Sequence, residues 1–145
     1  MGFLQHAHTG WRWIVLAAMV LAVCHAAYHL IKNHKFEFKD RRPGLWGLIA
    51  SHVQLLLGLV LYIISPKVIF DSTTMSNAMN RFFALEHPLT MIISVVLVTI
   101  GFSRAKKRLG TPSGYNQIFW FYLIALALIL SRTPFPGVNY GTNWF

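Results

Sequence analysis

Seven histidines in a chain of 145 residues are the side chains with the most chemistry to offer, and their spacing sorts them. His25, His29 and His52 fall inside long apolar stretches, His8 and His87 fall at the mouths of such stretches, and His6 and His34 sit in loop or interfacial surroundings. A neutral imidazole coordinates metal through one ring nitrogen while its other N–H bonds a backbone carbonyl one turn away, so it stays uncharged in lipid. An ionisable side chain inside hydrocarbon is costly, which makes a functional role the default reading. Glu86, directly before His87 and Pro88, is the one acid beside any candidate ligand. A carboxylate and a proline there also suit the start of a helix, so Glu86 has a plain structural role as well as one near a metal ligand.

The elements that must carry these residues are four apolar stretches, at about residues 11–32, 45–66, 84–104 and 115–132. Each nears the ~20 residues a helix needs to cross ~30 Å of hydrocarbon. With 55% hydrophobic and 12% charged residues, the chain has too few polar groups to cover a water-soluble globule. Short connections between the stretches predict a single domain over residues 1–145: an all-α, integral membrane, antiparallel four-helix bundle. The first stretch reads as a retained span, since no basic segment precedes it and histidines run through it.

Thirteen Lys and Arg face four acids, a net charge of +9. In a polar chain that balance would suggest nucleic acid; here the anionic partner is a lipid bilayer, and no nucleic acid is expected. Lys32, Lys35, Lys39, Arg41 and Arg42 fall between the first two stretches, and Arg104, Lys106, Lys107 and Arg108 between the last two. Only Arg12, Lys67, Arg81 and Arg132 fall on the other side, so the positive-inside rule puts both termini on the outer, periplasmic face of a bacterial inner membrane. Trp11, Trp13, Trp46, Tyr62, Trp120 and Trp144 lie near span ends, as an aromatic belt does. The lone Cys24 excludes an intramolecular disulfide, a CxxC zinc site and a covalent c-type haem.

Depth decides which histidines could share one ion. On these boundaries His8 and His87 both lie about three residues from the outer mouths of their spans. His25 and His52 each lie seven residues from an inner edge, or ~10 Å, whereas His8 and His25 are ~25 Å apart on one helix. The sequence therefore offers an outer pair, His8 with His87, and an inner pair, His25 with His52. Two imidazoles across a planar iron are what a b-type haem requires, and facing helices of a bundle supply them. Arg12, Arg81 and Arg132 fall on the outer side, available to haem propionates. A second haem on His52 and His25 would complete a path across the membrane. Gly44, Gly47, Ser51 and Gly58 read as close helix packing, and Gln54 as a bond across the bundle or a quinone contact.

The segments His6 to Trp13, Ser51 to Tyr62 and Arg81 to His87, with Phe121 to Leu126 and Pro134-Phe135-Pro136, resemble the small bacterial membrane proteins classed as cytochrome B-like. The resemblance implies a four-helix haem protein, with His8, His52 and His87 as its histidines and Arg12, Gln54, Arg81 and Glu86 beside them. His25 and His29 lie outside the matching segments. A looser likeness to one four-helix half of heme A synthase places histidines at span mouths, but its acid belongs to a different local pattern. These readings together give a b-type cytochrome passing electrons near the respiratory chain, with quinone or other respiratory subunits as partners and a homo-oligomer left open. The alternatives are a haem-free or metal-binding assembly subunit and a haem-modifying enzyme.

Overall fold

The computed structural model describes residues 2–135, so Trp144 and Pro136 lie outside the described residues. It is all-helical there, and four helices are long and apolar enough to cross a membrane. They are α1 (Gly2–Ile31), α2 (Arg42–Ile64), α3 (Ala78–Lys106) and α4 (Ser113–Ser131).

Helix α1 begins well before the expected residue 11, because nothing in residues 2–10 breaks a helix and Thr9 satisfies its hydroxyl on the Gln5 carbonyl, 2.8 Å away. Its 30 residues reach ~45 Å, more than the hydrocarbon thickness. His8 is therefore a helical residue, one turn before Arg12. Helix α1 ends in a Schellman motif: Asn33 takes φ 51°, its N–H donates to Leu30 O, and His34 N–H reaches back to His29 O at 3.0 Å. A 3₁₀ turn, Phe38–Arg41, leads into α2, whose Pro43 suits a first turn. Asn77 caps α3, accepting from the N–H groups of Met79 and Asn80. In the connection before it, the Thr73 hydroxyl and N–H both donate to Asp71, holding that carboxyl below the usual carboxylate range.

Each helix packs on two neighbours: α1 on α2 and α4, and α3 on α2 and α4. Met19, Ala22 and Ala26 of α1, Val98 of α3 and Tyr122 and Ala125 of α4 are wholly buried between them. Small residues set the spacing. Gly47 lets Tyr122 and Met19 approach, since a Cβ there would sit 2.9 Å from the Tyr122 ring, and the Tyr122 hydroxyl donates to Gly44 O at 2.6 Å. Outward faces are apolar too: Leu21, Leu56 and Ile63 are exposed, Ile63 by 83%. Such a surface suits contact with lipid acyl chains rather than water.

The two basic connections meet at one end of the helices. Phe36, 1% exposed, is clasped there: its N–H donates to Thr111 O at 3.1 Å and its carbonyl accepts from Gly110 N–H at 2.8 Å.

Candidate functional site

Away from the basic connections, α1, α2 and α3 and the segment after α4 enclose a cavity of about 180 Å³ lined by His8, Arg12, Ser51, Gln54, Gly58, His87, Met91 and Pro134 among others. The sequence-derived outer pair meets there. The His8 and His87 rings lie 6.4 Å apart between centroids, with planes at 78°. Two imidazoles on opposite sides of one ion, with metal–nitrogen bonds of ~2 Å, place their centroids about 6 Å apart.

Local backbone chemistry aims His87. Phe82–Glu86 forms a π turn inside α3, and the His87 N–H donates five residues back to Phe82 O. Pro88 has no N–H to give to Ala84 O, four residues earlier, and the Tyr62 hydroxyl of α2 fills that vacancy at 2.8 Å. Tyr62, expected only as a belt aromatic, thus ties α2 to the turn that carries His87. The proline at 88 was the signal, because it predicts an orphaned carbonyl at 84. On the ring itself, Nδ1 lies 2.8 Å from Arg132 O, which leaves Nε2 uncommitted. That is the usual support for a metal-ligating histidine.

His8 is set differently. Gln54 donates to the His8 backbone carbonyl at 3.0 Å and lies 3.4 Å from ring Nε2, while ring Nδ1 is buried without a partner. A Cβ on Gly58 would stand 3.2 Å from His8 Cε1, so the glycine makes room for the imidazole.

Arg12 is 6% exposed. Its Nη1 donates to Pro134 O at 3.1 Å and the guanidinium lies over the Trp13 and Phe135 rings, while Nε and Nη2 have no hydrogen-bond partner. A buried cation with unmet donors is expensive, and these two nitrogens are available to an anion in the cavity. Of the seven buried side-chain atoms without a partner among the described residues, five belong to His8, Arg12, Ser51 and Gln54, all cavity-lining. Unmet polar atoms are rare in native interiors, and their concentration here marks a place for a ligand with polar or metal-binding parts.

Arg81, Glu86 and Arg132 stand beside the cavity rather than in its wall. Arg81 Nε donates to Glu86 Oε1 at 2.8 Å and Arg132 Nε lies 3.6 Å from Oε2, so the acid joins two arginines. Since the Arg132 carbonyl supports His87, Glu86 positions that histidine's anchor. A partly exposed pair of this kind contributes about 0–1 kcal/mol.

The inner pair does not form. His52 is exposed and its Nδ1 bonds Leu48 O on its own helix at 2.8 Å. It lies near the level of Trp11, whose Nε1 donates to Ala50 O at 3.0 Å, roughly 20 Å along α1 from His25. The matched depths assumed that α1 and α2 end level, but Gly47 stands beside Met19 and His25 beside Asp40, ahead of α2, so α1 runs on past the start of α2 and leaves His52 far above His25. His25 instead faces His29 (ring centroids 4.5 Å apart) and Tyr115 (5.9 Å). Sequence spacing alone did not reveal this second grouping.

No protein-family model, curated protein or solved structure matches the chain.

Proposed function

We propose that the chain is a bacterial inner-membrane b-type cytochrome, with His8 and His87 as the axial ligands of one haem and Arg12 facing a propionate. The observation that carries this reading is the approach of the two rings, 6.4 Å apart and nearly perpendicular, from residues 79 positions apart. The donor set suits the group: one uncommitted nitrogen on each ring, an unmet guanidinium for a carboxylate, and apolar walls from Val15, Leu55, Met91 and Val95 for a macrocycle.

The finer topology belongs to the same reading. His8 stands by Gly58 while Met19 stands by Gly47, so α1 and α2 run in opposite senses, as in an antiparallel bundle. The basic connections at the other end support both termini lying outside. A haem held by His8 and His87 would supply a reversible one-electron couple, and ligation by both histidines would favour electron transfer over oxygen chemistry. Its electron partners in this reading are a quinone or another respiratory membrane subunit. Glu86 sits between two arginines as a positioning group, which weighs against a haem-modifying enzyme.

The test is the absorption spectrum of the purified, detergent-solubilised protein before and after dithionite. A Soret shift and a sharp α-band on reduction, with about one haem per chain, are expected. Their absence would leave a haem-free or metal-binding assembly subunit instead.

Gly58→Ala probes the cradle. Alanine is the better helix former by ~1 kcal/mol, but its methyl presses on His8 Cε1. The expected outcome is haem affinity reduced by about tenfold with the apoprotein melting no lower than the parent, read by haem titration and thermal unfolding. Unchanged affinity would show that His8 need not sit where it does.

A further inference from the structure

At the basic end a second group of ligand-type side chains converges, independent of the proposed haem site. His25 and His29 are four residues apart and share one face of α1, and Asp40 comes from the 3₁₀ turn before α2. One ligand atom from each of the three lies within 4.8 Å of the other two. Donors around a single ion with ~2 Å bonds stand about 3–4 Å apart, so small side-chain rotations close the set. We propose that His25, His29 and Asp40 bind a divalent first-row transition-metal ion at the basic end of the helices.

The surroundings orient these groups as supporting shells of metal sites do. The Schellman turn brings His34 back over α1, placing its Nδ1 2.8 Å from His29 Nδ1, so one ring donates to the other and His29 Nε2 is left over. Asp40 Oδ2 accepts from Glu37 N–H at 2.9 Å, which fixes the carboxylate and leaves Oδ1. Tyr115 of α4 lies flat on His29, centroids 4.8 Å apart and planes at 5°. It is 1% exposed, touches the His25 ring as well, and its hydroxyl faces the Asp40 carboxylate. One buried side chain therefore packs on both imidazoles and meets the carboxylate, as a supporting residue of a metal site does.

Donor type selects the ion. Two imidazoles and one carboxylate suit zinc, iron, cobalt, nickel or copper, whereas calcium and magnesium prefer oxygen alone. Nine lysines and arginines at this end also oppose a dication held by charge only, so nitrogen donation must supply the affinity. Three protein donors leave at least one position for water. The ion would pin the end of α1 to the turn that starts α2, with α4 stacked against it.

The test uses the tag-free, full-length protein in detergent, stripped with chelator and titrated with Co²⁺, then with Zn²⁺ as competitor. One equivalent of Co²⁺ with visible d–d bands, displaced by Zn²⁺, is expected. His25→Ala and Asp40→Asn should each weaken binding at least tenfold, while His52→Ala leaves it unchanged. Absence of a saturable signal, or binding that survives both substitutions, overturns the site. A measurement on the unaltered chain guards against misfolded variants: Zn²⁺ should shield His25 and His29 from diethyl pyrocarbonate while His6 and His52 stay reactive, and equal labelling with and without Zn²⁺ also overturns it. His25→Ala should keep any haem spectrum of the parent, so failure here and failure of the haem reading are told apart.

Discussion

Replacing His87 with alanine is expected to remove the low-spin haem spectrum and to lower haem content at least tenfold. The imidazole reaches the cavity through three separate devices: the π turn that ends at its N–H, the Tyr62 hydroxyl on Ala84 O, and the Arg132 carbonyl on Nδ1. The π turn and the Tyr62 bond involve only backbone atoms of this segment and outlast the substitution, so the variant should fold and lose the ring with its one bond to Arg132 O. Loss of a supporting partner of a ligating histidine alone typically lowers affinity by 10–100-fold, and loss of the ligand itself should exceed that. His8→Ala should behave alike, because its ring faces the same space with an unmet Nδ1. His52→Ala is the control, since that ring is exposed and bonded within its own helix. Pyridine haemochrome content per chain and the reduced-minus-oxidised spectrum measure all three. A His87→Ala protein with a full low-spin spectrum would remove the pair from the proposal, and restoration by free imidazole would strengthen it.

The control exposes how far sequence reasoning reaches. Hydropathy located all four helices because lipid imposes its length requirement residue by residue, without reference to neighbours. The pairing of His8 with His87 was legible for the same reason, as both lie near one end of their helices whatever the packing. The pairing of His25 with His52 required α1 and α2 to end level, and it failed because α1 runs on past the start of α2, with His25 beside Asp40. Rotation about the helix axis was also hidden: depth says nothing of which face His52 occupies, and that face is exposed. The group of His25, His29, His34 and Asp40 depends on a left-handed Asn33 that folds the chain back on α1. Asparagine tolerates that conformation without dictating it. Arg12 was legible as a candidate but not as a buried one. Its burial follows from the Pro134 carbonyl arriving from the other end of the chain, a contact no local pattern encodes.

Gly101→Ala is expected to lower thermal stability by about 1–3 kcal/mol, although alanine favours helix over glycine by ~1 kcal/mol. Gly101 faces α4: a Cβ there would stand 2.5 Å from Phe121 Cβ, 3.1 Å from its Cγ and 3.3 Å from Gln117 O. A Cβ is fixed to the backbone and cannot swing away, so the methyl is accommodated only if the two helices separate. Gly10→Ala makes the same chemical change on α1 where nothing lies within 4 Å, and there the propensity gain should stand alone. The two substitutions should therefore move the unfolding midpoint in opposite directions, with the Gly101 variant several degrees below the parent, followed by helical circular dichroism in detergent. Separation at Gly101 also reaches the cavity, because His87 on α3 is held by the Arg132 carbonyl just beyond α4. The Gly101 variant should consequently bind haem more weakly than the Gly10 variant, despite lying ~20 Å along α3 from His87. Equal melting and equal haem retention in the two variants would show that close α3–α4 packing orders neither the fold nor the ligand.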